Sequence, residues 1–313
     1  MKPINLAGLE LEHPVMIGAG TCKTISDLKQ ALRTPASAVV IGSITADSRT
    51  GNGGDVYHDG GYFSLNSLGL PNPGMEYWRY QLRYYIENVE GSNPERKPLL
   101  VSVVGFTPEE YGLLAKTMLE QKARAIELNF GCPNIWGTEG QKPIPSFRRD
   151  MVRAILEAVS QAVADDTCIG VKLSPFSDPD QLKEIARTIA DYVGLVQFVT
   201  TTNTFPNAYA VHPDGRPCIS FSGSSGLAGL SGKAMKAVGL GQLQQLRSIL
   251  PAPIQLVGVG GISSGQDVLD YLRAGATAVQ VVTDYLNRGK ASIDAILTEL
   301  VELTEQSQPQ ASA

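Results

Sequence analysis

Eight short apolar runs, each long enough for one strand and each followed by a polar or glycine-rich exit, constrain this chain more than any other feature. They are Val15 to Ile17, Ala38 to Ile41, Pro98 to Val104, Ala125 to Leu128, Ile169 to Leu173, Leu195 to Thr200, Ile254 to Val259 and Ala278 to Val282. Helical segments separate them. Ser26 stands as the cap of a helix carrying Leu28 and Leu32, and further helices are expected over 75–88, 108–121, 147–164, 179–193, 234–250, 266–273 and 292–305. Strands alternating with helices make an α/β fold, and eight of them match a (β/α)8 TIM barrel; a doubly wound sheet is the alternative, since strand number alone does not decide closure. One barrel domain then accounts for residues 1–313. Leu6 to Leu11 reads as an N-terminal hairpin that caps the barrel bottom, and residues 306–313 as a frayed polar tail. The loops after strands 2, 4 and 6 carry insertions, at 50–74, 135–146 and 206–232. Loops of that length in a compact domain are usually functional, and the middle one has the composition of a lid.

Composition removes several classes of function. The formal charge is −5, and basic runs are absent, so no nucleic-acid partner is expected. Hydrophobic residues make up 43% of the chain, yet the apolar runs are strand-sized, so no membrane span is expected either. The N-terminus shows neither a signal peptide nor an amphipathic extension. Cys22, Cys132, Cys168 and Cys218 are scattered without metal or disulfide spacing, which suits a cytoplasmic location. With only His13, His58 and His212, none near another in the chain, no zinc site is expected.

Chemistry concentrates in Glu127-Leu-Asn-Phe-Gly-Cys-Pro-Asn134. A strand here runs into a loop presenting two amides and a thiol, and barrel enzymes carry their catalytic groups where strands end. A thiol can act as nucleophile or base, and amides orient a planar substrate through donor and acceptor pairs. The plain alternative for Cys132 is a small buried side chain before a turn. Lys172 lies on an otherwise apolar strand, where a cation costs several kcal/mol unless it meets an anion or polar ligand. Gly260-Gly261, with Ser263 and Ser264 leading into a helix, supplies bare N–H groups and a helix dipole for a phosphate. Gly232 can add another N–H and Thr283 a hydroxyl. Flavin mononucleotide (FMN) would use all of these, with Lys172 facing the ring edge where negative charge develops on reduction.

The chain resembles the dihydroorotate dehydrogenases from about Pro14 to Glu305. The resemblance is carried by Asn66-Ser-Leu-Gly-Leu-Pro-Asn72, Asn129-Phe-Gly-Cys-Pro-Asn134, Val171-Lys-Leu173, Thr202-Asn-Thr204, Gly229-Leu-Ser-Gly232 and Gly260-Gly-Ile-Ser-Ser-Gly-Gln-Asp267. It implies an FMN-containing barrel that oxidises dihydroorotate to orotate in pyrimidine biosynthesis. Cys132 would be the base that removes the C5 proton while the C6 hydride passes to flavin N5. Asn66, Leu68, Gly69, Leu70, Asn129, Asn134, Asn203 and Thr204 would hold the substrate. Ala19, Gly20, Ser43, Asn129, Lys172, Gly232, Gly260, Gly261 and Thr283 would line the cofactor. A cysteine base marks the family's soluble class, the membrane-associated class using serine. One position departs from that class: where it has a lysine opening the loop after strand 2, this chain has Gly42. Lys23, on the loop after strand 1, is the expected replacement, as in the membrane-associated class.

Other readings differ in chemistry. A related FMN ene oxidoreductase, similar to the dihydropyrimidine dehydrogenases, would act on another cyclic amide. A Schiff-base aldolase would use Lys172 as nucleophile, and a non-catalytic phosphate-binding barrel would leave the Asn-Cys-Asn cluster unexplained. For the dehydrogenase, fumarate is the expected electron acceptor, because no cysteine cluster here suits an iron–sulfur centre. A homodimer is expected. The helix bearing Tyr77, Trp78, Tyr80, Tyr84 and Tyr85 serves either as its interface or as core packing.

Overall fold

Two residues in the left-handed region, Ala7 and Gly8 at φ 51° and 84°, turn the chain between β1 (Ile4–Leu6) and β2 (Leu9–Leu11). This is the expected hairpin. Its inward side chains Leu6, Leu9 and Leu11 pack with Met16, Val40, Leu100, Phe198 and Val257 in one buried cluster, which plugs the N-terminal end of the barrel. The computed structural model describes residues 2–88, 97–137, 140–221 and 226–306. The expected frayed tail lies almost wholly outside them.

The chain then alternates as the apolar runs require. β3 (Val15–Cys22), α1 (Ile25–Leu32) and β4 (Val39–Ile44) lead to the short strands β5 (Tyr57–Asp59) and β6 (Ser64–Asn66). After α2 (Met75–Asn88) come β7 (Leu99–Val103), α3 (Pro108–Glu120) and β8 (Ala125–Asn129). A small ribbon, β9 (Trp136–Gly137) with β10 (Gly140–Gln141), precedes α4 (Arg149–Ala162), β11 (Ile169–Lys172), α5 (Pro179–Ala190) and β12 (Val196–Thr200). Strands β13 (Phe205–Ala208) and β14 (Ala228–Ser231) then lead to α6 (Lys236–Ile249) and β15 (Gln255–Val259). The chain ends with α7 (Gly265–Arg273), β16 (Ala278–Val281), α8 (Thr283–Arg288) and α9 (Lys290–Gln306).

Eight of these strands close in the order β3-β4-β7-β8-β11-β12-β15-β16. Closure is made by parallel pairing of β16 with β3, Val279 opposite Val15 and Val281 opposite Ile17, which decides for the barrel over a doubly wound sheet. The main core lies between barrel and helices, where Ile17, Ile41, Val101, Ile126 and Val171 meet Leu28, Trp78, Leu114, Ile155 and Ile185. The insertions after barrel strands 2 and 6 join in one antiparallel sheet, β13-β14-β6-β5, laid over the C-terminal mouth. The insertion after strand 4 forms the β9–β10 ribbon, and residues 138–139 of the expected lid fall outside the described residues.

Several local expectations change. Thr24, not Ser26, caps α1: its hydroxyl accepts from Asp27 N while the Asp27 carboxylate accepts from Thr24 N. Ser26 falls inside the first turn, where its hydroxyl lies beyond the orphan N–H groups a cap must reach. On α2, Trp78, Leu82 and Tyr85 are buried in the core, whereas Tyr80 and Tyr84, one turn apart, face outward. That helix therefore does core work on one face and leaves two tyrosines exposed on the other.

Candidate functional site

The polar exits of the barrel strands meet in one cavity beneath the insertion sheet. Sequence neighbours rarely build it; strand ends do. β8 carries Asn129 to its floor, and the following loop brings Cys132 and Asn134. β11 brings Lys172, and the exit of β12 brings Asn203 and Thr204. β6 and the turn after it add Asn66, Leu68, Gly69 and Leu70 from above. Ala19, Gly20 and Lys23 enter from β3 and its exit, Ser43 from β4, Gly232 from the end of the second insertion, Gly260 and Gly261 from the exit of β15, and Thr283 from the start of α8. Cys132 and every residue expected to hold substrate or cofactor thus line a common space, whereas Ser264 does not.

The amides around the thiol are already ordered by one another. Asn129 donates to Ser43 Oγ at 2.8 Å and accepts from Asn203 Nδ2 at 3.0 Å and from Gly131 N at 3.1 Å. Tyr111 donates its hydroxyl to the Asn129 carbonyl at 2.9 Å from outside the barrel. Asn134 donates to Asn66 Oδ1 at 2.8 Å, tying the loop after β8 to the insertion sheet. Among the described residues the buried Thr204 hydroxyl has no hydrogen-bond partner, and Thr204 lies in the cavity wall, so this polar group is available to a ligand.

Beneath this layer sits a buried polar network in the barrel interior. Lys172 Nζ donates to Gln280 Oε1 at 3.1 Å and lies 3.9 Å from Glu127 Oε1. The other Glu127 oxygen accepts from Gln280 Nε2 at 2.6 Å and Thr200 Oγ1 at 2.7 Å. The cation on an apolar strand therefore has its anion, on the neighbouring strand β8. Glu127 and Gln280 escaped sequence reasoning because both read as ordinary strand residues; in register Glu127 stands opposite Gly170 and Lys172 opposite Asn129, so the carboxylate reaches the lysine diagonally across two adjacent strands, and a carboxylate and a lysine each on a buried apolar strand were the available signal.

Burial pushes the Cys132 thiol up to about 11, and two influences oppose it: a hydrogen bond from the Asn134 backbone and the positive charge of Arg49. Arg49 was not singled out in the sequence. It is held over the Phe106 ring, 5.1 Å from the centroid, and donates from Nε to the Gly69 carbonyl at 3.2 Å. Lys23 and Lys172 do not supply that charge. Burial pushes the Lys23 amine down, with Asp27 opposing.

Gly42 explains why its position carries no side chain. Its φ is +102°, and a Cβ there would sit 2.5 Å from the Ser102 carbonyl oxygen and 2.7 Å from Ile44 N. A lysine cannot occupy this backbone, while Lys23 reaches the same cavity from the neighbouring strand.

The glycine end of the cavity suits a phosphate through its backbone, but not through the helix expected. Gly260 and Gly261 adopt φ of +118° and +71°, and a Cβ on Gly261 would stand 2.6 Å from Lys236 N. The N-terminus of α7 is occupied from within: Ser264 caps it, and the Glu299 carboxylate accepts from Gly265 N at 3.0 Å and Gln266 N at 3.3 Å. The dipole of α7 is thus spent on α9, and only the loop before it lines the cavity. Bare glycine backbone at one end, amides and a thiol at the other and a buried lysine between them fit a flavin nucleotide.

Fold and site together define a (β/α)8 barrel with an amide-lined, glycine-ended cavity at its C-terminal mouth. The model of the dihydroorotate dehydrogenase family matches residues 1–304, and the chain belongs to that family, oxidoreductases acting on a CH–CH bond. It is 29% identical over 308 residues to dihydroorotate dehydrogenase A (fumarate) of Lactococcus lactis subsp. cremoris, covering 98% of this chain and 95% of that protein. The dihydroorotate dehydrogenase (fumarate) of Trypanosoma brucei brucei is 30% identical over 304 residues, with 96% and 92% covered. The crystal structure of the Eimeria tenella enzyme in complex with ferulenol superposes with a TM-score of 0.80 at 18% identity, covering 97% of this chain and 85% of that one, and shares the fold.

Proposed function

We propose that this protein is an FMN-dependent dihydroorotate dehydrogenase that uses Cys132 as its base and fumarate as electron acceptor. The observation that carries the reading is the thiol of Cys132 set among Asn66, Asn129, Asn134 and Asn203 in one cavity with the exit of β15. FMN, when bound, supplies the hydride acceptor. Gly232, Gly260, Gly261 and Thr283 would hold its phosphate, and Ala19, Gly20, Ser43, Asn129 and Lys172 its ring.

This chain's own residues do the rest. The asparagine amides offer donors and acceptors to the ring of dihydroorotate, with Thr204 adding a hydroxyl. Lys23 supplies the positive partner for the substrate carboxylate that Gly42 cannot. Cys132, as thiolate, takes the C5 proton. Lys172, held by Gln280 and faced by Glu127, would act as a fixed cation toward the flavin ring rather than as a nucleophile. The acceptor follows the names of the fumarate-type relatives. Among the described residues no helix is long and apolar enough to cross a membrane. A homodimer in the cytoplasm completes the reading, and light scattering on the purified protein checks the assembly.

The visible spectrum, recorded before and after anaerobic addition of dihydroorotate, tests the proposal. Bleaching of a yellow flavin, reversed by fumarate, is the expected outcome. A flavin that stays oxidised with dihydroorotate but bleaches with dihydrouracil would move the substrate to another cyclic amide, and a protein that binds no FMN would overturn the reading.

A further inference from the structure

Two histidines far apart in the chain, with a cysteine, converge on the insertion sheet above the barrel mouth. His58 lies on β5 opposite Leu65 of β6. His212 opens a tight turn fixed by its own amide to the Arg216 carbonyl at 2.8 Å and by pairing of Val211 with Pro217. Cys218 follows that turn, its amide bonded to Ala210 O at 2.9 Å, and is buried beside Leu65, Ile219 and Ala228. The imidazoles of His58 and His212 stand edge to face with centroids 5.3 Å apart. One ligand atom from each of the three residues lies within 4.8 Å of the other two. The expectation that no histidine has another nearby, drawn from chain positions, therefore fails in space.

We propose that His58, His212 and Cys218 form a three-ligand site for a zinc-class divalent cation that staples the two insertions covering the barrel mouth. The donor set selects the metal: two imidazoles and a thiolate suit zinc, whereas calcium and magnesium require oxygen ligands, and this set contains none. A zinc ion needs nitrogens at about 2.0–2.1 Å and sulfur at about 2.3 Å from one centre, so the three donors close in by small side-chain rotations. Binding replaces the thiol proton, which leaves to solvent, with a Zn–S bond, and the charge of the ion and thiolate together is +1. Asp214 does not complete the set, because Arg216 holds it at 2.7 Å; water takes the fourth position.

The placement gives the site a purpose. The two insertions already meet at Asp55 and Ser220, whose backbones exchange hydrogen bonds at 2.8 Å. A cation at His58, His212 and Cys218 adds a side-chain tie to these backbone bonds and to the β14–β6 ladder that already joins the insertions. Residue 57, next to His58, lines the cavity and pairs with Asn66. The staple would thus fix β5, the strand paired with the one that presents the Asn66 amide to the site. It is independent of which substrate the cavity takes.

The test uses the flavin-loaded enzyme, stripped with EDTA, dialysed, and titrated with zinc chloride against a chromophoric chelator, followed by zinc K-edge X-ray absorption. One equivalent bound with one sulfur and two imidazole nitrogens is expected. Cys218→Ser should remove the sulfur from the shell. His212→Asn, on a partly exposed turn that folds without the ring, should weaken zinc by more than the roughly 10–100-fold that loss of an outer-shell partner costs. Cys132→Ser should leave both unchanged. Zinc that binds His212→Asn as tightly as the parent, or a sulfur shell lost in Cys132→Ser, would overturn the proposal, as would the absence of stoichiometric binding.

Discussion

At the scale of single residues, the thiol sets the terms of the chemistry. With the Cys132 thiol pushed up to about 11, most of the protein at neutral pH holds the base in its protonated form. Flavin reduction by dihydroorotate should therefore accelerate with pH through the neutral and alkaline range, as stopped-flow traces would show. Cys132→Ser should slow reduction by about 10²-fold or more and move the rising limb to higher pH, because a hydroxyl yields its proton less readily than a thiol. An unchanged profile would remove Cys132 as base. Arg49→Met deletes the positive charge that favours the thiolate, so its limb should also move upward. At fixed pH below the limb it should lose about tenfold in rate for each pH unit of that movement. Arg49→Lys, which keeps the charge without the planar stack on Phe106, should recover part of the loss. The exchange between Gly42 and Lys23 separates in the same way. Lys23→Ala should raise KM for dihydroorotate, by about 10²-fold if the ion pair is worth the 2–5 kcal/mol of a buried charged contact. Unchanged turnover would refute its role. Adding Gly42→Lys should not rescue it, since the Ser102 carbonyl stands where the new Cβ must go.

At the scale of elements, the helix ends show how much of the frame is settled by local chemistry. Thr24 and Asp27 satisfy each other's backbone at the start of α1, and Thr107 and Asp178 do the corresponding work for α3 and α5. Thr24→Ala should cost about 1 kcal/mol in denaturant unfolding, and should also raise KM for dihydroorotate if the shift reaches Lys23, whose amide also donates to Asp27. α7 is different. Its first amides are satisfied by Glu299, from a helix that follows in the chain. Glu299→Ala leaves two donors without their carboxylate and should destabilise the protein by roughly 1–3 kcal/mol. Chemical denaturation with an unchanged m-value would confirm that the loss lies in the folded state.

At the scale of the whole molecule, the barrel and its cover are two layers tied at the site. Asn134 of the barrel loop and Asn66 of the insertion sheet meet at 2.8 Å, so the cover is positioned by the same amides that face the substrate. The cavity that holds Cys132 and Gly260 is lined by seven of the eight barrel strands or their exits and by the sheet above, so ligand binding should couple to global stability. Loading the apoprotein with FMN at about 1,000 times its Kd should stabilise it by about 4 kcal/mol, visible as a rise in the calorimetric midpoint that scales with free FMN. A midpoint indifferent to FMN would place the flavin outside the folded cavity.

The eight apolar runs determined eight strands alternating with helices, because a strand buried on both faces needs an unbroken hydrophobic stretch and a helix needs a different period, and neither depends on distant residues; closure into a barrel came only with the pairing of β16 and β3. The motifs around Asn66, Asn129, Cys132 and Gly260 likewise pointed to the family, each being local in the chain. The tertiary structure decided the rest. Arg49 lies on a long irregular loop, and nothing beside it in sequence shows that it will stand near the thiol. Glu127 finds Lys172, Glu299 takes the helix end that glycines seemed to offer a phosphate, and His58 meets His212, each through closure of the barrel or joining of two insertions. Charge and coordination act across space at a few ångströms, and the chain order of the partners carries no record of that distance until the fold sets it.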